Sequence, residues 1–270
     1  MDNLSVSPAR LDVDNISVAY DGIPVLRDVT FQIPHGARVA VVGPNGAGKS
    51  TLFKALVGLL PLRSGKIFIH NLPLGHHLDC VAYVPQREEV DWHFPVTVRD
   101  VVLMGRFGHQ KWLQRSGRFD REIAWNSLQQ MGIADMADHA IRELSGGQQQ
   151  RVFLARALAQ EPHIFLMDEP FTGVDATTQE ATLALLDHLR QKKVTVLIST
   201  HDLNLASSRF DSVLLLNHNL IAFGDPKSVL SPENLAKAFG PQMLKLPDGT
   251  ILVDDCCPPD EGLTQKGKVN

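Results

Sequence analysis

The sequence has few of the features that mark a secreted, disulfide-braced or membrane-spanning chain. It contains three cysteines in 270 residues, Cys80 and the adjacent pair Cys256 and Cys257, and this odd count predicts a reducing compartment. No apolar run approaches the roughly 18 residues that a helix needs to span a bilayer. The N-terminus is polar and acidic, so we expect no secretory signal there.

Neither sign of charge is in large excess. The 26 Lys and Arg residues and the 30 Asp and Glu residues give a net charge of −4, which argues against nucleic acid as the main partner. Hydrophobic residues at 44% and charged residues at 21% are ordinary for a globular chain. A chain of 270 residues can form one large domain or two smaller ones.

The most informative stretch is a glycine-rich loop at residues 43–51, with the sequence GPNGAGKST. It follows an apolar, β-branched run at 38–42 and precedes apolar residues at helical spacing, so the pattern predicts strand, loop and helix. This is the context that the phosphate-binding loop GxxxxGK, followed by Ser or Thr, requires. Its glycines let several backbone N–H groups point at one anion, and the helix N-terminus adds partial positive charge.

The chemistry of this loop gives roles to three side chains. Lys49 is expected to reach the terminal phosphates of a nucleotide, Ser50 to ligate Mg²⁺, and Thr51 to bond the α-phosphate. Kinases, GTPases, motors and transport ATPases all share such a loop. By itself, therefore, it predicts only a nucleoside triphosphate ligand.

Two further motifs lie at the ends of predicted elements. Ser145 is a good N-cap, and the two glycines after it leave backbone N–H groups exposed, which predicts a second anion site at a helix N-terminus. Asp168 and Glu169 follow a buried strand at 164–167. This position suits a carboxylate that holds Mg²⁺ and a neighbouring base.

Three single side chains at predicted strand ends each allow two interpretations. Tyr20 is either a cross-strand aromatic or a platform on which adenine stacks, and the strand pattern alone favours the former. Gln86 and His201 lie where α/β sheets present residues to ligands. A lone glutamine is usually a surface residue, however, and a lone histidine is more often structural.

Two polar stretches are predicted to be solvated loops. One contains His76, His77, Asp79 and Cys80, which are metal-ligand types, but their spacing matches no standard zinc pattern. The other is a basic run at residues 106–118.

The pentapeptide LSGGQ at 144–148 lies between the phosphate loop and the Asp168-Glu169 pair. With these motifs in this order, the chain closely resembles the ATP-binding subunits of ABC transporters over roughly residues 11–239. The resemblance implies an α/β fold, a P-loop NTPase (RecA-like) core with an antiparallel β subdomain and an inserted α-helical subdomain. The expected regions are a flexible N-terminal arm at 1–10, an ABC ATPase domain at 11–240 with its helical insertion at about 88–158, and a C-terminal hairpin and polar tail at 241–270.

The resemblance implies ATP and Mg²⁺ as ligands and gives the motifs their roles. Glu169 resembles the general base, His201 the residue that contacts the γ-phosphate, and Gln86 the glutamine that senses Mg²⁺ and the attacking water. The implied Mg²⁺ ligands are Ser50, Gln86 and Asp168. The implied nucleotide contacts are Tyr20, Gly43, Asn45, Gly46, Gly48, Lys49, Ser50, Thr51, Ser145, Gly146, Gly147, Gln148 and Asp175.

In this family the LSGGQ motif meets the ATP bound by the opposite subunit, so the resemblance implies an ATP-dependent head-to-tail homodimer. Asp175 matches the aspartate of the dimer-contacting loop, although Gly173-Val174-Asp175 departs from the commoner Ser-Ala-Leu-Asp. The chain is expected at the cytoplasmic face of the membrane, with integral permease subunits docked near residues 86–104. No nucleic acid partner is expected.

The stretch from Tyr83 to Arg106 resembles the manganese and zinc import subgroup, and manganese is the favoured cargo. An extracytoplasmic metal-binding protein is then expected in the same system. Zinc, iron, a siderophore or another cargo are the alternatives.

Two other classes of protein stay open. A non-transport ABC ATPase acting as a nucleotide switch usually has a coiled-coil insertion or a second ATPase domain, and this chain has neither. A nucleotide-binding regulator without turnover is the other class, and the presence of Glu169 argues against it. A further hypothesis is that a group of metal-ligand residues senses excess metal, namely His76, His77, Asp79, Cys80, Cys256 and Cys257.

Overall fold

The computed structural model describes residues 11–76, 78–86, 95–109, 116–240, 243–245 and 251–253. Its strands are β1 (Leu11–Tyr20), β2 (Ile23–Ile33), β3 (Arg38–Val42), β4 (Ser64–Ile69), β5 (Leu72–Pro73), β6 (Val81–Val84), β7 (Ile164–Asp168), β8 (Thr195–Thr200), β9 (Ser212–Asn217), β10 (Asn219–Gly224), β11 (Met243–Lys245) and β12 (Ile251–Val253). Its α-helices are α1 (Lys49–Leu56), α2 (Val98–Met104), α3 (Arg118–Gln130), α4 (Gly146–Ala159), α5 (Ala176–Gln191), α6 (Leu203–Arg209), α7 (Pro226–Val229) and α8 (Pro232–Phe239).

A six-stranded sheet forms the centre of the molecule, with the strand order β10-β9-β3-β8-β7-β6. All neighbouring pairs from β9 to β6 are parallel, and β10 pairs with β9 in antiparallel fashion. Strands β3, β7 and β8 are almost continuously apolar because both faces of a parallel sheet are covered. Because these strands are parallel, their carboxyl ends lie at the same edge of the sheet, which is where ligands bind in open α/β sheets.

The two faces of β3 contribute to two different cores. Ala40 and Val42 pack with helices α2 to α5 on one side, whereas Val39 and Val41 pack with α1 on the other. A second, antiparallel sheet with the order β2-β1-β4-β5 covers that other side. Helix α1 thus lies between the two sheets, and the loop that precedes it is fixed from both sides.

Helices α2, α3 and α4 pack on one another beside the parallel sheet. Helix α2 begins with a capping box, in which Thr97 Oγ1 accepts from the Asp100 backbone N–H and the Asp100 carboxylate accepts from the Thr97 backbone N–H.

The prediction of a solvated basic loop at 106–118 is wrong for its first residue. The Arg106 side chain is 4% exposed. It donates to Asp120 of α3 at 3.3 Å, and to Glu161 and the Ala159 carbonyl, both at 2.8 Å, at the end of α4. Three separate acceptors therefore surround one buried guanidinium. We call Arg106 and these three acceptors, on Asp120, Ala159 and Glu161, the buried staple.

The fold class predicted from the sequence is confirmed, with a parallel P-loop core, an antiparallel sheet and a group of packed helices. Helices α6 and α7 were not anticipated. None of the helices in the described ranges has the length and apolar character needed to cross a bilayer. The domain limits stay predictions, and the arm at 1–10, most of the tail and much of the expected permease-docking stretch lie outside the described residues.

Candidate functional site

An open cleft of about 540 Å³ lies at the carboxyl edge of the parallel sheet. It brings together the phosphate loop, the tip of the antiparallel sheet and the ends of two parallel strands. Its lining residues are Tyr20, Val25, Asn45, Gly46, Ala47, Gly48, Lys49, Ser50, Thr51, Gln86 and Glu169. We call this the nucleotide cleft.

The backbone of the phosphate loop requires its glycines. Gly46 and Gly48 have φ values of 79° and 96°, in the left-handed region that favours glycine. A Cβ at Gly43 would collide with the Leu216 carbonyl, and one at Gly48 with the Leu26 side chain. The loop therefore curls tightly over α1, with its backbone N–H groups directed toward one point.

Lys49 is the first residue of α1 and is 6% exposed. Its ammonium group donates to the carbonyls of Gly43 at 2.8 Å and Pro44 at 3.1 Å. The same nitrogen lies 3.8 Å from Glu169 Oε1. The lysine charge is thus held at the loop by its own backbone, opposite a carboxylate across the cleft.

Ser199 organises the acidic pair after β7 and was missed from the sequence. Strands β7 and β8 place Asp168 directly beside Ser199. The Ser199 hydroxyl donates to the Asp168 carboxylate and accepts from the Glu169 backbone N–H at 2.8 Å. Asp168 is 1% exposed and Ser199 is fully buried. No sequence signal could have identified this pair, because the order and register of β7 and β8 bring the two residues together.

Glu169 has a backbone conformation that a side chain rarely adopts. Its φ of 47° lies in the left-handed region, where a residue other than glycine is strained. This turn directs the carboxylate into the cleft, where Glu169 Oε2 accepts from Thr172 Oγ1 at 3.3 Å. Strain of this kind is typical of residues held for function.

The LSGGQ segment forms the N-terminus of α4, as predicted. Ser145 caps the helix, with its Oγ 3.4 Å from the Gln148 backbone N–H, and Gln148 Oε1 accepts from the Ser145 N–H at 2.8 Å. Gly147 is buried against the N-terminus of α5, where an added Cβ would collide with Asp175 and Thr178. We call Ser145–Gln148, with Asp175 and Thr178, the signature corner.

Asp175 lies at the N-terminus of α5 and packs against Gly147 of α4. It caps α5, accepting from the Thr178 backbone N–H at 2.8 Å and from Thr178 Oγ1 at 3.2 Å. The backbone donor of Thr178 lowers the pKa of the Asp175 carboxyl, with a further contribution from the charge of Arg151. The aspartate is therefore ionised at neutral pH, next to the positive ends of two helices.

The structure brings some predicted residues together and leaves others apart. Tyr20 and Gln86 line the nucleotide cleft beside the phosphate loop. Gly43, Asp168 and His201 are not among the lining residues; His201 is exposed just after β8. The residues of the signature corner, including Gly146, do not line the cleft either.

Three curated relatives are similar to almost the whole chain. The manganese transport system ATP-binding protein MntB of Bacillus subtilis is 48% identical over 89% of this chain and 96% of its own length. The zinc transport system ATP-binding protein TroB of Treponema pallidum is 47% identical over 89% and 90%. The chelated iron transport system membrane protein YfeB of Yersinia pestis is 43% identical over 91% and 84%.

Solved structures of ABC transporter subunits have a similar fold. A chain of an inward-facing ABC transporter superposes with a TM-score of 0.75 at 29% identity, over 90% of this chain and 95% of that one. The ATP-binding cassette of an ABC transporter in its ADP conformation superposes with a TM-score of 0.70 at 25% identity, over 86% and 98%. The profile of the ABC transporter family matches residues 26–172. The chain therefore belongs to the ABC transporter family, as an ATP-binding and ATP-hydrolysing subunit.

Proposed function

We propose that this chain hydrolyses ATP to energise the import of a divalent metal ion, manganese, through separate membrane permease subunits. The observation that supports the proposal best is the composition of the nucleotide cleft. There a buried lysine at the start of α1 and a strained glutamate after β7 face each other at 3.8 Å, with Tyr20 and Gln86 beside them. A phosphate-binding lysine together with a carboxylate that can act as a base is typical of an ATPase, whereas a protein that only binds nucleotide does not need the base.

The proposed roles follow from where each group lies. Tyr20 is 41% exposed at the cleft wall and offers a face on which adenine stacks. The loop N–H groups and Lys49 bind the phosphates, so that Lys49 exchanges its carbonyl partners for phosphate oxygens. Glu169 accepts the proton of the attacking water. His201, which is exposed directly after β8, contacts the γ-phosphate.

Two oxygen donors that line the cleft, on Ser50 and Gln86, and the carboxylate of Asp168, which directly precedes Glu169, fit Mg²⁺. Ser50, Gln86 and Asp168 offer a hydroxyl, an amide carbonyl and a carboxylate, which are the hard ligands that this ion prefers. When bound, the ion would neutralise phosphate charge that develops during transfer. Ser199 holds the Asp168 carboxylate in position for this role through its hydroxyl.

The signature corner supports the proposal of a head-to-tail dimer. Its exposed Ser145 and the N-terminus of α4 present hydrogen-bond donors that the cleft of the same chain does not use. In a two-fold dimer these groups of one copy would cap the ATP bound by the other. Two ATP molecules would then close the dimer, and hydrolysis would loosen it and move the permease.

Manganese as the cargo is supported by similarity. Relatives from Bacillus subtilis and Synechocystis are named for manganese transport, one from Treponema pallidum for zinc and one from Yersinia pestis for chelated iron. We further propose that an extracytoplasmic metal-binding protein delivers the ion and that the chain works at the cytoplasmic face of the membrane. The cargo passes through the permease and does not touch the cleft.

The test is the total manganese, zinc and iron content of metal-limited cells in which the Glu169→Gln variant replaces the native chain. The matched control is Glu180→Gln, an exposed glutamate on α5. A selective fall in manganese with the first variant only would confirm the proposal. A fall in zinc or iron instead would correct the metal, and no change in any of them would overturn metal import.

A further inference from the structure

Three metal-ligand side chains from distant parts of the sequence meet away from the nucleotide cleft. His70 lies at the turn after β4, Cys80 directly before β6 and His163 directly before β7. One ligand atom from each lies within 4.8 Å of the other two. His163 Nδ1 is 2.9 Å from His70 Nε2, and the two rings are nearly perpendicular. None of the three residues lines the nucleotide cleft.

The backbone around this cluster is fixed by hydrogen bonds. The His163 N–H donates to the Cys80 carbonyl at 2.8 Å, immediately before β6 and β7 begin to pair. The Gln160 side chain donates to the carbonyls of Asp79 and Val81, each at 2.9 Å. Two of the three ligands therefore come from neighbouring strand starts, and ligands on such rigid elements are held more precisely than ligands on loops.

We propose that His70, Cys80 and His163 form a Zn²⁺ site with a fourth coordination position open to water. Two imidazoles and one thiolate are a ligand set that zinc accepts in tetrahedral geometry. Manganese and magnesium prefer carboxylate, carbonyl and water oxygens, so this set selects against the proposed cargo and against the metal that accompanies ATP. A small rearrangement of the two histidine rings, from contact with each other to contact with the ion, completes the site.

The position of the cluster determines what a bound ion would do. It lies at the amino ends of β6 and β7, whereas Asp168 and the nucleotide cleft lie at the carboxyl ends. His70 comes from the antiparallel sheet and the other two ligands from the parallel sheet. The ion would therefore link the two sheets through coordination bonds at the edge opposite to the nucleotide cleft and stabilise their relative position.

This site replaces the group of residues suggested by the sequence. His76 is exposed, and His77, Cys256 and Cys257 lie outside the described residues. Cys80 instead faces two histidines that are 10 and 83 positions away in the chain. Burial and the neighbouring charge of Asp79 raise the pKa of the Cys80 thiol to about 11.

The test is a titration of the purified full chain with Zn²⁺ in competition with a chromogenic chelator, repeated with Co²⁺ as a spectroscopic probe. The variants are His163→Ala, whose side chain is exposed, and Cys80→Ser, which keeps the size of the side chain. The matched controls are His76→Ala and the double variant Cys256→Ser and Cys257→Ser. Unfolding in zinc-free buffer verifies that each variant is folded.

The native chain and both controls should bind one Zn²⁺ that the two site variants bind at least about tenfold more weakly. The Co²⁺ complex should show thiolate-to-cobalt absorption that Cys80→Ser removes. Zinc should also raise the unfolding temperature of the native chain but not that of His163→Ala. Unchanged affinity in a folded His163→Ala variant, or loss of zinc binding only in the Cys256 and Cys257 variant, would overturn the proposal.

Discussion

The nucleotide cleft and the signature corner are both built on helix N-termini, but they differ in completeness. In the cleft, the phosphate loop, Lys49, Glu169 and Tyr20 face one space within a single chain. At the corner, the Ser145 backbone N–H donates to the Gln148 side chain, and Asp175 packs against Gly147 between them. Among the described residues, none of those in the signature corner lines the cleft.

This difference teaches that one chain holds two separate parts of the proposed catalytic centre. The cleft can bind a nucleotide by itself, because its anion-binding groups and its carboxylate are already adjacent. In the proposed dimer, a second molecule supplies the anion that binds at the N-terminus of α4, in addition to the carboxylate of Asp175. Variants can therefore separate nucleotide binding, which belongs to the cleft, from turnover, which depends on both regions.

The largest effect is expected for Glu169→Gln, which removes the proposed base but keeps the shape of the side chain. Turnover should fall by roughly 10²- to 10⁴-fold, since this is the usual contribution of a general base. ATP binding should persist, and ATP should trap a dimer detectable by size-exclusion chromatography. Full activity in this variant would contradict the role of Glu169, and Glu180→Gln on α5 serves as the control.

Lys49→Ala should weaken nucleotide binding by about 10- to 100-fold, because charge-assisted hydrogen bonds to phosphate oxygens are lost. A titration of the single chain with a fluorescent ATP analogue measures this affinity. Lys54→Ala, later in the same helix and outside the cleft lining, should bind as the native chain does. Equal affinity in both variants would mean that the lysine at the start of α1 does not bind phosphate.

Arg106→Met tests the buried contacts between Arg106, α3 and the C-terminal end of α4, which is the end opposite to the signature corner. The free energy of unfolding should fall by about 2–3 kcal/mol, because Asp120, Glu161 and the Ala159 carbonyl lose a buried partner. Arg99→Met is the matched control, since its pair with Asp138 is 47% and 80% exposed and should contribute less than about 1 kcal/mol. Equal losses in urea unfolding would refute the buried staple.

Gly147→Ala should have the smallest effect on function and the most selective one. The new methyl group would push against Asp175 and Thr178 and shift the signature corner, which lies apart from the cleft. The single chain with Gly147→Ala should bind ATP with the same affinity as the native chain. When Gly147→Ala is added to the Glu169→Gln variant, ATP-dependent dimerisation should weaken by about tenfold. Weaker ATP binding by the single chain would show that the two regions are coupled within one molecule.

Local signals in the sequence were sufficient for the motifs and for most elements. The glycine spacing of the phosphate loop predicted the turn before α1, and Ser145 predicted the capped start of α4. Such features depend on residues three or four positions apart, so the chain specifies them without knowledge of the fold. The sequence did not predict helices α6 and α7, because both are short and contain too few apolar residues to show a helical period.

The sequence by itself thus determined the phosphate loop, the acidic pair after β7 and the LSGGQ helix start, because each is a local pattern with its own chemistry. Only the tertiary structure placed Ser199 beside Asp168, buried Arg106 among three acceptors and joined His70, Cys80 and His163. These contacts depend on strand order and helix packing. Residues far apart in the chain become neighbours only when the two sheets and the helices have assembled.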